Sequence, residues 1–214
     1  MALIDRVKYD SPSDASFVWK YPSENLKIGS QVIVNQSQEV MFVKGGQVLD
    51  ALDPGTHTLS TGNIPLLDKL INLPFGGNTP FTAEVWYVNK TVKRDLKWGT
   101  PNPIQVMDNT LGFPVSVRSF GKWGVRIENS RSFLTQIVGS QLGSDDEKIN
   151  SYFTGEIIQS LSKVISTAIN VNNISILQIT SSLTELSKFA TDMMKKEFER
   201  FGLEIVNFNI ESIN

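Results

Sequence analysis

The sequence predicts an α+β fold in which antiparallel strands come first, helices follow and one strand closes the chain. Two patterns indicate this order. Between residues 81 and 127, apolar residues alternate with polar ones, as in strands with one buried face. Between residues 149 and 201, apolar residues recur every three or four positions, as on the buried face of a helix. Because the strands and helices are segregated along the chain, we expect an antiparallel sheet with packed helices.

The most regular stretch, residues 38–57, has the pattern of a hairpin. Residues 40–43 are all apolar, and Gly45-Gly46 supplies two residues that accept positive φ in a type I′ turn. Beyond the turn, an apolar strand is rebuilt by Val48, Leu49 and Leu52. Asp53-Pro54-Gly55 ends it, with Pro54 and Gly55 suited to the centre of a type II turn.

The remaining elements follow the same two patterns. Strands are predicted over residues 17–22, 31–35, 81–89, 92–98, 115–127 and 203–213. The closing strand places Val206, Phe208 and Ile210 on one face. Residues 61–80, rich in Gly and Pro, are predicted to form a structured loop. Helices are predicted over residues 130–138 and behind two capping boxes, Ser144 with Glu147 and Ser182 with Glu185.

Composition excludes several classes of protein. The 214 residues fit one large domain or two small ones. Their 20 basic and 22 acidic residues, with a net charge of −2, lack the basic field of a general nucleic-acid binder. The absence of cysteine excludes disulfides, thiol catalysis and cysteine-based zinc sites. No apolar stretch approaches the roughly 20 residues that span a bilayer. The N-terminus carries charges where a signal peptide has an apolar run. We therefore expect a cytoplasmic protein.

Few residues offer catalytic chemistry. The single histidine, His57, follows the Pro-Gly turn, and nothing in the sequence places a nucleophile beside it. The carboxylates at 145–147 are predicted to stabilise a helix N-terminus rather than to act as an acid–base pair. The sequence contains neither a phosphate-binding loop nor a metal-ligand cluster, so we expect no cofactor. The alternative is a small-ligand-binding or hydrolytic domain that uses the loop at residues 72–80 and His57.

One pattern points to a partner. On the long strand, the parity opposite the apolar residues carries Arg118, Lys122 and Arg126, which we call the basic row. Successive members lie roughly 13 Å apart on one face of a strand that rises ~3.3 Å per residue. The row is a candidate contact for an acidic partner surface or for anionic lipid headgroups. The alternative is a solvated sheet face without a partner.

Short motifs also occur in a fixed order along most of the chain. They are Val18-Trp19-Lys20-Tyr21-Pro22, Gly29-Ser30-Gln31-Val32-Ile33-Val34, Gln38-Glu39-Val40, Asp53-Pro54-Gly55-Thr56-His57-Thr58-Leu59, Asn63-Ile64-Pro65, Pro74-Phe75-Gly76-Gly77, Lys97-Trp98-Gly99-Thr100, Pro103-Ile104, Val117-Arg118-Ser119-Phe120-Gly121 and Gly202-Leu203-Glu204-Ile205. In their order and spacing the chain resembles the SPFH (band 7) domain of stomatins, prohibitins, flotillins and the HflK/HflC pair. Within that family it looks like a bacterial subgroup labelled "virion core protein"-like.

The resemblance implies an SPFH domain over residues 17–214, after an N-terminal extension at 1–16. Its strand-rich part would cover 17–128 and its helical part with the closing strand 129–214, as a fragment of a longer chain. The resemblance implies a non-enzymatic, flotillin-like scaffold that self-associates and organises membrane-protein partners at the cytoplasmic face of the membrane, with a role in stress response. Many relatives have an N-terminal membrane segment or palmitoylated cysteines, and this chain has neither. We therefore expect membrane contact to be peripheral or indirect, and no nucleic-acid partner.

Overall fold

A computed structural model describes residues 5–10, 16–71, 80–138, 143–172 and 174–214. The chain divides into two compact units. Unit 1 consists of Met1–Thr91 and Ile127–Asp146, and unit 2 of Val92–Arg126 and Glu147–Asn214. Several antiparallel sheets, helices and a C-terminal strand confirm the predicted α+β class. The strand-rich half of the sequence contributes to both units.

Unit 1 is mainly a set of small sheets. Its strands are β1 (Arg6–Lys8), β2 (Val18–Lys20), β3 (Asn25–Lys27), β4 (Gln31–Val34), β5 (Gln38–Lys44), β6 (Gln47–Leu52), β7 (Gly55–Thr58), β8 (Pro80–Thr82) and β9 (Glu84–Asn89). Its helices are α1 (Pro65–Ile71) and α2 (Ser130–Phe133), which continues into a π-helical segment, Leu134–Val138. The strands form sheets in the orders β2-β9-β5-β6 and β1-β4-β7, and β3 pairs with β8.

The predicted hairpin is confirmed as β5 and β6. Gly45 and Gly46 have φ of 57° and 75°, as a type I′ turn requires. The apolar run of β5 is buried on both faces, with Val40 and Phe42 at 0% exposure and Met41 at 2%. The turn after β6 differs from the prediction, because Gly55 has φ of 143° and already begins β7.

The loop predicted over residues 61–80 contains helix α1. The carboxylate of Asp50 on β6 accepts hydrogen bonds from the backbone N–H of Leu66 at 3.1 Å and of Leu67 at 2.7 Å. It therefore satisfies two of the free N–H groups at the start of α1. The prediction was wrong because this cap comes from a residue far from the helix in the sequence. Strand β1 is also held to β9, since the Tyr87 hydroxyl donates to the carbonyl oxygen of Val7 at 2.9 Å.

Unit 2 combines a sheet, a hairpin and the long helices. Its elements are β10 (Lys93–Gly99), β11 (Ile104–Asp108), β12 (Phe113–Val117), β13 (Ser119–Ile127), α3 (Asp146–Asn170), α4 (Ile176–Ile179), α5 (Leu183–Arg200) and β14 (Leu203–Ile213). The sheet has the order β10-β13-β14, and β11 pairs with β12. The long strand predicted over 115–127 is therefore two strands that divide at Arg118.

Aromatic side chains form the centre of unit 2. Trp123 of β13 is fully buried, and its ring centroid lies 5.7 Å from that of Phe198 on α5 and 6.4 Å from that of Phe153 on α3. Both long helices therefore pack their apolar faces on the sheet, as their spacing predicted. The same spacing also places Phe189 on the apolar face of α5, and this prediction was wrong, because Phe189 is 47% exposed.

Two further predictions fail for local reasons. Ser182 makes no capping hydrogen bond, because it belongs to a 3-10 turn, Thr180–Ser182, that runs directly into α5. On β14 the buried parity changes at Asn207, so that Ile205 and Phe208 are both buried. Val206 is consequently 40% exposed instead of sharing the buried face.

Candidate functional site

The basic row lies at the surface of unit 2. On β13, Trp123 and Val125 are buried, whereas Lys122 and Arg126 alternate with them and are partly accessible. Arg118, between β12 and β13, is exposed, and its backbone exchanges hydrogen bonds with that of Asn214. The alternation of the strand therefore directs the three cations away from the core.

A glycine of β13 allows β14 to pack closely beside it. A Cβ atom at Gly121 would overlap the backbone carbonyl oxygen of Asn209 on β14 and crowd the ring of Trp98. The Trp98 ring lies over this gap and stacks on Phe208, with centroids 5.2 Å apart and an interplanar angle of 13°. The missing side chain thus permits close packing of β14, which carries acidic residues to the basic row.

Two glutamates of β14 pair with the basic row. Lys122 Nζ lies 3.5 Å from Glu211 Oε1, and Arg126 Nε donates to Glu204 Oε2 at 3.0 Å. These side chains are roughly half exposed, so each pair contributes less than ~1 kcal/mol to stability. Arg118 forms no ion pair with any residue that the structure describes. Sequence reasoning missed both glutamates, although each follows a buried apolar residue of the closing strand and so falls on its accessible parity.

His57 lies on β7, where it pairs with Val32 of β4. Its Nε2 is 2.7 Å from the carbonyl oxygen of Asp53, so this nitrogen carries the proton and donates it. The hydrogen bond closes the turn between Asp53 and His57, which contains Pro54. Residues 72–79 of the loop that was paired with His57 in the alternative reading lie outside the described residues.

The carboxylates at 145–147 were predicted to stabilise a helix N-terminus. The structure begins α3 at Asp146. In addition, Asp146 Oδ1 accepts a hydrogen bond from the backbone N–H of Phe17 at 2.7 Å, and both residues belong to unit 1.

Unit 1 contains a polar cleft of about 540 Å³ between β5, β6 and the start of α2. Glu39 accepts a hydrogen bond from Ser130 Oγ, and Lys90 Nζ lies 3.7 Å from Glu39 Oε2. Arg131 donates to two carbonyl oxygens of β6. These charged groups join α2 to the neighbouring strands. Within the described ranges, no group of three or more His, Asp or Glu residues is arranged to hold a metal ion.

A buried carboxylate organises the turn between β11 and β12. Asp108 has no exposed surface, and its Oδ1 accepts hydrogen bonds from the backbone N–H of Thr110 at 2.8 Å and of Leu111 at 3.0 Å. Its Oδ2 accepts from Ser175 Oγ at 3.0 Å and from the backbone N–H of Ile176 at 2.8 Å.

These hydrogen bonds, the one from Ile176 first, lower the pKa of Asp108 because they favour its charged form. The carboxylate joins the β11–β12 turn to the start of α4. Sequence reasoning did not single out Asp108. An acidic residue just before a turn was a signal, because aspartate often accepts hydrogen bonds from the backbone two residues on.

Comparison with known proteins identifies the family. The profile described as "SPFH domain-Band 7 family" matches residues 18–214, and the chain therefore belongs to this family, as its motifs predicted. A similar protein is the "Uncharacterized protein YdjI" of Bacillus subtilis (strain 168), which is 22% identical over 213 residues. The match covers 99% of this chain and 64% of that relative. Among the described helices, none combines the length and apolar character needed to cross a membrane.

Proposed function

We propose that this chain is a non-enzymatic SPFH scaffold that self-associates and holds protein partners at the cytoplasmic face of the membrane during membrane stress. The observation that carries the proposal is the family match over residues 18–214. The family is one of membrane-associated scaffolds that engage in protein–protein interaction and self-association. On this proposal residues 17–214 act as one SPFH domain, and contact with the membrane is peripheral or made through partners.

The basic row supplies a candidate contact within this function. Arg118 is exposed, while Lys122 and Arg126 are held by partly exposed ion pairs that cost little to exchange. An acidic partner surface or an anionic headgroup could therefore replace the two glutamates of β14. We propose that the basic row binds such an acidic or anionic surface, and we expect salt to weaken this binding.

Membrane recruitment is tested by fractionation. The longest protein that the gene encodes is expressed alone and together with the membrane proteins encoded beside it. We expect it in the membrane fraction when a partner is present and in the soluble fraction otherwise. A protein that remains soluble under every partner condition contradicts recruitment.

A further inference from the structure

Unit 2 exposes large apolar side chains around the β11–β12 turn and α4. Phe113 is 53% exposed, Val171 70% and Leu177 77%. We call these three residues the neutral patch. Exposed apolar residues that stand singly are ordinary, but a contiguous group is typical of an interaction surface.

Hydrogen bonds join the segments that carry these three residues. Asp108 is the register partner of Phe113, and its carboxylate binds Ser175, whose hydroxyl accepts from the backbone N–H of Leu177 at 3.4 Å. The neighbouring Asn109 donates from Nδ2 to the carbonyl oxygen of Asn170 at 3.4 Å, and Val171 follows directly. Phe113, Leu177 and Val171 therefore lie on segments that meet at the turn organised by Asp108.

The segments that carry the neutral patch are almost free of charge. Residues 164–184 contain no Asp, Glu, Lys, Arg or His, and residues 99–117 contain only Asp108, which is buried. A charged partner would gain no ion pair here and would lose hydration, so the surface favours another uncharged, apolar protein surface. Anionic lipid is disfavoured for the same reason, because these segments provide no basic residue.

We infer that the neutral patch is a contact between two copies of this chain. In a two-fold contact the same patch faces itself, so it must be complementary to itself. An uncharged apolar patch meets this condition, whereas a patch with charges of one sign would repel its copy. This inference rests on the proposed function, of which self-association is a part, and it names the surface that self-association uses.

The size of the patch sets the strength of the contact. Stable complexes bury roughly 20–30 residues on each side, far more than three exposed side chains and their surroundings. The isolated chain therefore associates weakly and reversibly, with a dimer that forms only at high concentration. On a scaffold that holds many copies together, the high local concentration makes such a weak contact effective.

Sedimentation equilibrium of the 214-residue chain tests the inference. The concentration series runs from about 10 µM to 1 mM, the range in which weak association is visible. Leu177→Glu places a carboxylate on each side of the contact, and we expect it to weaken dimerisation at least about tenfold through repulsion and desolvation. Met107→Glu is the matched control. Met107 is 47% exposed but alternates with Asp108 on β11, so it lies on the other face of the hairpin.

A mixing experiment tests the two-fold geometry. Leu177→Glu and Leu177→Lys variants should each be monomeric, and their equimolar mixture should recover association because opposite charges then face each other. A wild-type chain that stays monomeric at every concentration overturns the inference and removes self-association by this chain from the proposed function. A dimer that survives Leu177→Glu, responds equally to Met107→Glu or is not recovered by mixing overturns the surface assignment alone. Membrane recruitment is measured separately by fractionation and does not depend on these outcomes.

Discussion

Two surfaces of unit 2 differ in whether their charged groups are exposed or buried. On the sheet face, Lys122 and Arg126 remain at the surface and pair with Glu211 and Glu204 of β14. Around the neutral patch the local charge, Asp108, is buried and fully hydrogen-bonded, and the apolar side chains remain outside. The first surface can bind by exchanging one ion pair for another, and salt screens it. The second gains only by excluding water, so salt does not weaken it.

The largest expected effect comes from separating β14 from β13. Gly121→Ala places a Cβ where the backbone carbonyl of Asn209 now lies. Because a backbone group of a paired strand cannot rotate away, we expect a loss of about 1–3 kcal/mol in the free energy of unfolding, as in an overpacked core. Urea denaturation followed by circular dichroism measures this loss.

Gly124→Ala is the matched control on the same strand. Its Cβ would overlap the side-chain amide of Asn207, which can turn aside, and would lie 3.1 Å from the backbone carbonyl oxygen of Lys93, a tight contact that a shift of a few tenths of an ångström relieves. We therefore expect a smaller loss than for Gly121→Ala. Equal losses would show that the approach of β14 does not depend on the glycine at 121.

A substitution of Asp108 should disrupt the segments that carry the neutral patch. Asp108→Asn replaces one acceptor oxygen with an NH₂ group that faces backbone N–H donors, so the β11–β12 turn and the start of α4 should loosen. Amide hydrogen exchange should accelerate at Thr110, Leu111 and Ile176, whose N–H groups this carboxylate holds.

The same residue predicts a pH dependence. The pKa of Asp108 is lower in the folded chain than in the unfolded chain, where it is about 3.9. Its stabilisation is therefore present above that value and is lost as the pH falls through the folded-state pKa. We expect the wild-type urea midpoint to fall in acid and the Asp108→Asn midpoint to fall less over the same window. Asp53→Asn, which removes an exposed carboxylate, is the control substitution, and a parallel acid loss in Asp108→Asn would contradict this role.

Local patterns predicted the parts of the fold that depend on neighbouring residues. The type I′ turn at Gly45-Gly46 needed only two residues that accept positive φ. The parity of β13 needed only its alternation, and Trp123 and Val125 are buried as that alternation requires. The family followed from short motifs in a fixed order, and the match over residues 18–214 confirms it.

Patterns failed where a distant residue determines the outcome. Helix α1 was read as a loop because its cap, Asp50, lies on another element. The ion pairs of the basic row were not predicted because Glu204 and Glu211 come from a strand that is distant in the sequence. Asp108 went unnoticed as an organising group because two of its four donors belong to residues 175 and 176.

The smallest expected effect concerns the ion pairs of the charged face. Glu204→Gln with Glu211→Gln should remove two carboxylate charges beside the basic row, and each basic residue of the row then adds up to ~1 kcal/mol of attraction to an anionic lipid surface. Liposome co-sedimentation at low and high salt measures this gain, which high salt should remove. Reversing Arg118, Lys122 and Arg126 to glutamate should abolish binding, while Arg126→Ala alone should barely change it, because a single exposed pair contributes so little. Circular dichroism should show that the double and triple variants keep their fold. If neither variant then changes liposome binding, the basic row is a solvated sheet face without a partner. The two surfaces of unit 2 would then differ only in how their own charged groups are paired.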